Sequence, residues 1–404
     1  MMENVYVAQL CSYFGECGGC QLQDVPYEEQ VVRKADALEE LFLPFWKAPI
    51  PVQPSPVVWH YRNKVDPTFG VKFYPEGPPE DGAREPVLGF KRKGRWYWCI
   101  DIHECLIGPE GLAALLRAVR RWMHDHDLPP FDSRKGEGLL KTLLVREGKR
   151  TKERMVALIT REGRFDPGPF VQVVQDVFPA ASIWHGVSHR TSDVAIADEM
   201  TLLAGAETLH EELHIPAGDG TRILRFQLSP FSFFQTNTLA AERLYGVIRE
   251  RVQARAPRVL YDLYAGIGTI ALACADVVEQ VHGVEEVFAA TEDAELNAEE
   301  NGVSNATFYT EKTKNFLLGR LTEGGLAPNA AAVVDPPRAG MHPKALKRLI
   351  ALRPEHLLYV SCNPKILARE MPEFLKHYRL TDMEAVDLFP HTPHVEVLAR
   401  LVPA

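Results

Sequence analysis

"LYDLYAGIGTIALA", residues 260–273, decides how the chain folds. An apolar run ends at Leu263, glycines stand at 266 and 268, and a stretch of small apolar residues follows Thr269. That order predicts a buried strand, a tight turn and a helix start. Gly266 and Gly268 let the backbone approach a ligand that a Cβ would block. The spacing satisfies G-x-G-x-x-A, so a nicotinamide dinucleotide fold is one reading. A glycine turn in an α/β protein that binds nothing there is the plain one.

The surrounding sequence repeats the alternation. "RVLYDLYAG" (258–266), "QVHGVEE" (280–286), "ATFYTEK" (306–312), "AAAVVDPP" (330–337) and "HLLYVSC" (356–362) read as buried strands. Helical stretches such as "AATEDAELNAEENG" (289–302) separate several of them. The pattern predicts an α/β domain over 229–404 with a doubly wound, Rossmann-like parallel sheet. Upstream, short alternating runs such as "KTLLVRE" (141–147) and "ERMVALIT" (153–160) mix with the helical "EGLAALLRAVRRWM" (110–123), predicting a central mixed α+β domain over 51–228. Residues 1–50 form a cysteine-bearing segment followed by a helix. In that helix Val31, Ala35, Leu38, Leu41 and Leu43 fall close to helical spacing. "KAPIPVQPSPV" (47–57) reads as a proline-rich connector.

A chain of 404 residues holds two or three domains. No stretch approaches the ~20 apolar residues of a membrane span, and "MMENVYVAQLCSYFG" lacks the basic and apolar regions of a secretory signal. The expectation is a cytoplasmic protein with no membrane partner, monomeric by default. The net charge is −9, with 27 Lys/Arg against 32 Asp/Glu in residues 1–228 and 18 against 22 in 229–404, so any nucleic-acid surface must be local. Seven cysteines, an odd number, argue against a disulfide framework.

Three carboxylates turn the glycine crevice toward S-adenosylmethionine. Asp262 lies inside the first strand, where it can meet a cationic or amine group. Glu285 ends the next strand, where a carboxylate can accept both ribose hydroxyls. Asp335 ends the fourth and is followed by Pro336 and Pro337, an acid-Pro-Pro element common in enzymes that methylate nucleic-acid bases. Asp-Pro-Pro is also simply a good strand terminator.

"YVSCNPKILARE" (359–370) places Cys362 where the fifth strand opens into a helix, on the ligand side of the sheet. Asn363 suits a helix N-cap and Pro364 the first helical position. A thiol at a helix N-terminus should have a lowered pKa. The plain reading is a buried, inert cysteine. Beside a methyl donor a thiolate has a specific use. Carbon 5 of a pyrimidine is too weakly nucleophilic to take a methyl group, and adding a thiolate to C6 turns C5 into an enolate carbon. A base must then remove the C5 proton. In "FPHTPHVEVLARLV" (389–402) an alternating strand would place His394, Glu396 and Leu398 on one face, and both His394 and Glu396 are candidates. A solvated edge-strand glutamate is the plain alternative.

"FFQTN" (233–237), "DLYAGIGTIAL", "VVDPPRAG" (333–340), "YVSCNPKILARE" and "FPHTPHVE", in this order, resemble the S-adenosylmethionine-dependent RNA uracil-5-methyltransferases, which form 5-methyluridine in transfer and ribosomal RNA. The resemblance implies Cys362 as the nucleophile and Glu396 as the proton acceptor. It implies Gln235, Tyr264, Glu285 and Asp335 around the cofactor. Position 269 is threonine where some relatives carry asparagine, and Lys312 stands where relatives often carry a short polar or acidic residue.

Cys11, Cys17 and Cys20 have C-x5-C-x2-C spacing, so three thiolates can face one centre. Zinc and an iron–sulfur cluster fit this equally and need a fourth ligand, for which Cys99 and Cys105 are candidates. Cys99 lies in a strand-like run and Cys105 in a turn-like exit. The resemblance implies a [4Fe–4S] cluster on Cys11, Cys17, Cys20 and Cys105. For RNA, "GFKRKGRWYW" (89–98) combines four basic residues with aromatics able to stack on bases, and residues 134–154 hold eight Lys/Arg against three acids. Each of these runs is equally readable as a solvated polar face. "HYRNKV" (60–65) matches a stretch near the RNA in the family. Many members begin with an extra β-barrel that this chain is expected to lack, which leans the expected target toward 23S rRNA over the tRNA T-loop.

Overall fold

The computed structural model describes residues 10–72, 74, 76–77, 84–192 and 194–404. Two compact units divide the chain. One takes the chain up to Pro26 together with Val58–Glu211 and Leu228–Phe231, and the other takes Tyr27–Val57, Glu212–Gln227 and Ser232–Ala404.

The second unit is built on an eight-stranded sheet. Its strands in chain order are β1 (Val52–Gln53), β2 (Val259–Leu263), β3 (Gln280–Glu285), β4 (Ala306–Thr310), β5 (Ala330–Val334), β6 (His356–Ser361), β7 (Tyr378–Val386) and β8 (Glu396–Pro403). Its helices are α1 (Tyr27–Phe42), α2 (Thr238–Gln253), α3 (Thr269–Cys274), α4 (Phe288–Glu300), α5 (Thr313–Thr322), α6 (Pro343–Leu352) and α7 (Pro364–Phe374). Across the sheet the order is β1-β7-β8-β6-β5-β2-β3-β4. All neighbours run parallel except β8, which is antiparallel to both β6 and β7. The chain runs outward from β2 to β4, then returns to place β5 on the other side of β2. A crevice therefore opens beyond the carboxyl ends of β2 and β5, where open α/β sheets bind ligands. The five parallel strands expected from the sequence are all present. β2 and β5 are buried at every position, as strands covered on both faces must be.

Two expectations about residues 26–57 need correction. The proline-rich connector contains β1, whose Val52 and Gln53 pair with Ala385 and Val386 of β7. In α1 the buried residues are Gln30, Lys34, Leu38 and Phe42, while Val31 and Ala35 are only partly covered and Leu43 is 59% exposed. The apolar spacing was out of phase because half of the buried face is polar. Leu38, Phe42 and Ile50 join the core of the sheet, each adding roughly 1.5–3 kcal/mol of burial. Residues 27–57 thus fold with the C-terminal sheet and not with the cysteine segment.

The first unit contains a mostly antiparallel sheet with strand pairs such as Leu140–Glu147 with Arg154–Thr160, and one parallel pair, Arg154–Thr160 with Ser182–Val187. Helices Leu112–Asp125 and Pro167–Val177 bury Leu115, Val119, Trp122, Phe170 and Val174 in its core. Among the described residues no helix is long and apolar enough to cross a membrane.

Candidate active site

The turn after β2 carries left-handed backbone at Tyr264 (φ 95°), Gly266 (φ 55°) and Gly268 (φ 85°). A Cβ on Gly266 would point into open space, whereas one on Gly268 would lie 3.0 Å from the Phe308 ring. Gly268 is thus required for packing, and Gly266 leaves a backbone cradle facing the crevice. Glu285, the last residue of β3, accepts from the Gly266 N–H at 3.1 Å and the Val287 N–H at 2.9 Å. An ionised carboxylate has about four acceptor positions, so lone pairs remain for ligand hydroxyls. Asp262 is fully buried and its Oδ2 accepts from the Ala271 N–H at 2.9 Å, tying β2 to α3. Its Oδ1 meets no partner among the described residues. Burial, with lesser contributions from Asp335 and Glu285, pushes its carboxyl up to about 8. An open glycine cradle, a carboxylate with spare acceptors and an orphaned buried oxygen fit a ligand carrying a ribose and an amine. Tyr264 shares a hydrogen bond with Thr313, and burial pushes its phenol up to about 12. Gln235 is buried in the turn before α2, where Asn237 caps the helix by accepting from the Ala240 N–H at 3.2 Å.

Asp335, Cys362 and Glu396 meet at the other side of the crevice. Asp335 directly follows β5, Cys362 directly follows β6, and Glu396 opens β8 opposite Val386 of β7. Three strand ends separated widely in sequence are therefore adjacent in space. Glu396 is 1% exposed, and its Oε2 has no hydrogen-bond partner among the described residues. Burial first, then the Asp335 charge, lifts its carboxyl well above the usual range, with Arg338 opposing. Burial also raises Asp335.

The thiol of Cys362 departs from expectation. It is pushed up to about 11, by burial first and by the Glu396 and Asp335 carboxylates next, with Arg338 opposing. Burial, and then two carboxylates in the same crevice, disfavour thiolate. Asn363 does occupy the N-cap position of α7, but its side chain makes no capping bond. Its Nδ2 donates instead to the Arg338 carbonyl at 3.0 Å. His394 is not on a strand face with Glu396, because β8 begins only at residue 396. His394 is exposed in the preceding loop, with its ring nitrogens 3.3 and 3.4 Å from Arg338 Nη2.

Two residues of this site escaped the sequence reading. Glu370 on α7 accepts from the Tyr359 hydroxyl at 2.7 Å and the Met341 N–H at 3.0 Å, joining β6 to the loop after Asp335. Tyr245 on α2 is 2% exposed, hydrogen-bonds Thr269, and lies within electrostatic reach of Asp335, Glu396 and Asp262. Neither stands in a pattern that distinguishes it from an ordinary helical residue. The last letter of "YVSCNPKILARE" was the one available hint for Glu370.

In the first unit, Cys11, Cys17, Cys20 and Cys105 are all partly buried free thiols. Burial pushes Cys20 up to about 12, with smaller contributions from Cys105 and Cys17. Cys105 is likewise raised by burial and then by Cys17 and Cys11. Each of the four thiols therefore lies within electrostatic reach of another, and the Arg62 guanidinium is in reach of Cys105 and Cys20. Among the described residues no group of three or more His, Cys, Asp or Glu is arranged to hold a metal ion. Cys99 is buried in its strand with Sγ 3.3 Å from the Thr68 carbonyl, and Cys274 is fully buried in α3.

The expected RNA-facing runs are only partly surface. Tyr61 and Asn63 of "HYRNKV" are buried, and the backbone N–H groups of His60 and Arg62 donate to Leu106 and Ile107 beside Cys105. Of the cations in 134–154, Lys141 and Arg146 are buried, and Lys149 and Arg154 pair with the buried Glu147. Arg134, Lys135, Arg150 and Lys152 are exposed. The side chains of Trp96 and Tyr97 lie outside the described residues.

Comparison with known proteins shows the family of the chain. Residues 192–401 match the family model of tRNA (uracil-5-)-methyltransferase. An uncharacterized RNA methyltransferase from Protochlamydia amoebophila is 34% identical over 99% of this chain and 92% of that protein. Another from Chlorobaculum tepidum is 35% identical over 97% of this chain and 82% of its own length. The structure of Pyrococcus abyssi tRNA (uracil-54, C5)-methyltransferase in complex with S-adenosyl-L-homocysteine superposes with a TM-score of 0.73 at 30% identity, covering 96% of this chain and 86% of that one. With a cradle for S-adenosylmethionine and relatives of this kind along its whole length, the chain belongs to the S-adenosylmethionine-dependent RNA (uracil-5-)-methyltransferase family.

Proposed function

We propose that the enzyme methylates C5 of one specific uridine through a covalent Cys362 adduct. The observation that carries this reading is the buried, partnerless Glu396 oxygen beside the Cys362 thiol. S-adenosylmethionine supplies an electrophilic methyl group when bound, against Gln235, Tyr264, Glu285 and Asp335. The Cys362 thiolate adds to C6 of the uracil, and the C5=C6 electron pair bonds C5 to the methyl carbon as the methyl–sulfonium bond breaks, leaving S-adenosyl-L-homocysteine. Glu396 then takes the C5 proton, the C5=C6 bond re-forms, and sulfur leaves as thiolate. A carboxylate deprived of hydrogen-bond partners and solvent is a stronger base than one in water. The thiol needs deprotonation against burial and two neighbouring carboxylates, and the nearby Arg338 cation favours thiolate.

For the cysteines, the reading is a [4Fe–4S] cluster on Cys11, Cys17, Cys20 and Cys105, with a structural or RNA-positioning role, since methyl transfer requires no electron. The mutual electrostatic influence of these thiols is what supports this reading. The cysteine-bearing segment and the central domain would guide RNA, and the target uridine must leave its stack to reach the crevice. The expected target is 23S rRNA in a monomeric cytoplasmic enzyme. The tRNA T-loop is the second reading, favoured by the likeness to the Pyrococcus tRNA enzyme.

Mass-spectrometric mapping of 5-methyluridine in rRNA and tRNA, from cells with and without the gene, tests the target. Loss of the mark at one rRNA uridine supports the first reading, and loss at a T-loop uridine the second. RNA carrying 5-fluorouridine at that position should become covalently linked to Cys362, and an enzyme that turns over without such a linkage would refute the adduct.

A further inference from the structure

Helix α1 buries a polar face. Tyr27, Gln30 and Lys34 stand on successive turns at its start, and Gln30 and Lys34 are buried with Leu38 and Phe42. All three side chains reach one short segment, residues 387–391. Lys34 Nζ donates to Asp387 Oδ1 at 2.7 Å and to the Phe389 carbonyl at 3.2 Å. The Tyr27 hydroxyl donates to Asp387 Oδ2 at 3.1 Å and accepts from the Ser55 N–H at 2.6 Å. Gln30 Oε1 accepts from the His391 N–H at 2.8 Å, and its amide nitrogen lies 3.2 Å from His391 Nδ1. His391 itself has φ 65°, a conformation that L-residues adopt only when held.

This segment is the connection between β7 and β8. Asp387 directly follows Val386, the residue paired with Glu396, and His391 lies five residues before Glu396. The Asp387 N–H also donates to the Gln53 carbonyl at 2.9 Å, so the strand added by residues 52–53 holds the same corner from the other side. A helix that merely covered the sheet would be served by apolar side chains, because replacing a buried ion pair by well-packed hydrophobic residues is often neutral or stabilising. Directional contacts from three side chains to one turn specify position instead.

We infer that Tyr27, Gln30 and Lys34 of α1 are positioning residues that clamp the 387–391 turn and thereby place Glu396 for C5 proton removal. The inference rests on the reading of Glu396 as proton acceptor. It separates two halves of the reaction. Thiolate addition and methyl transfer use groups at the ends of β5 and β6, whereas proton removal depends on the turn that α1 holds. Loosening the clamp should slow the second half and spare the first.

The test follows methyl-labelled S-adenosylmethionine into RNA and into protein, using bulk RNA from cells lacking the gene as substrate. The double variant Lys34→Met/Asp387→Leu removes both buried charges together, and Gln30→Leu loosens the turn without touching a charge. Both should accumulate a methylated RNA–protein adduct on denaturing gels, with product release slowed about tenfold or more and cofactor affinity near that of the parent. Glu396→Gln is the reference and should accumulate the same species. Release at the parent rate by both clamp variants while Glu396→Gln stalls would overturn the clamp alone. Equal loss of adduct formation and release in both clamp variants would show general damage and also overturn it. Parent-like release by Glu396→Gln would overturn the reading of Glu396 and the clamp's purpose with it.

Discussion

Asn363 Nδ2 donates to the Arg338 carbonyl oxygen across 3.0 Å, fastening the helix behind Cys362 to the turn behind Asp335. The bond makes one rigid rim of two loops that are 25 residues apart in sequence. It replaces a helix cap, so the residue that would stabilise α7 locally serves the crevice instead. Glu370 braces the same rim from below through Tyr359 and the Met341 N–H.

Replacing Cys362 by Ala should abolish methylation while leaving S-adenosylmethionine affinity close to the parent's, since the thiol follows β6 and the glycine cradle follows β2, with β5 between them. Isothermal titration with the cofactor, run beside a methyl-transfer assay, measures both. Retained methylation would refute covalent catalysis.

Replacing Glu370 by Ala leaves the buried Tyr359 hydroxyl and Met341 N–H without their acceptor, at about 1–3 kcal/mol for each group. Denaturant melts should show that loss. Gly340→Ala should destabilise through the same contact, because Gly340 has φ 85° and a Cβ there would sit 2.3 Å from Glu370 Oε1. Combining it with Glu370→Ala removes the collision with the carboxylate but leaves the one with Ile366 Cγ2, so the two losses should be only partly less than additive.

Asp262 should make stability fall as pH rises. Its carboxyl ordinarily titrates near 3.8 and burial moves it to about 8 in the folded chain. Between those values the folded state holds a proton that the unfolded state has released, so the penalty grows upward through this window and is complete above about 8. Thermal melts at pH 5 and pH 8 should show a smaller decline for Asp262→Asn than for the parent. An unchanged decline would exclude Asp262 as its source.

Anaerobically purified protein should carry iron and inorganic sulfide, with a visible absorbance that chelation removes. Cys20→Ser and Cys105→Ser should lose both, and Cys99→Ser should keep them because its sulfur faces the Thr68 carbonyl inside a strand. Zinc in place of iron, or iron retained by Cys105→Ser, would contradict the assignment.

Turn chemistry and strand periodicity are local, so the sequence by itself determined the α/β alternation, the glycine turn and the places of Asp335, Cys362 and Glu396 beside strands. Each of those residues ends or opens a strand, and strand ends on one side of a parallel sheet must converge. The buried phase of α1 was not legible, because Gln30 and Lys34 look like solvent-facing residues until Asp387 and His391, more than 350 positions away, come to meet them. The acidity of Cys362 differs from expectation for a similar reason, since a cap and a helix terminus are written nearby while its burial, and then the carboxylates arriving from β5 and β8, come from the tertiary structure. His394 and Glu396 looked equivalent as alternating residues, and only the strand's start at 396 buried one and exposed the other. Charge and burial depend on what surrounds a group in three dimensions, and only the tertiary structure decides that.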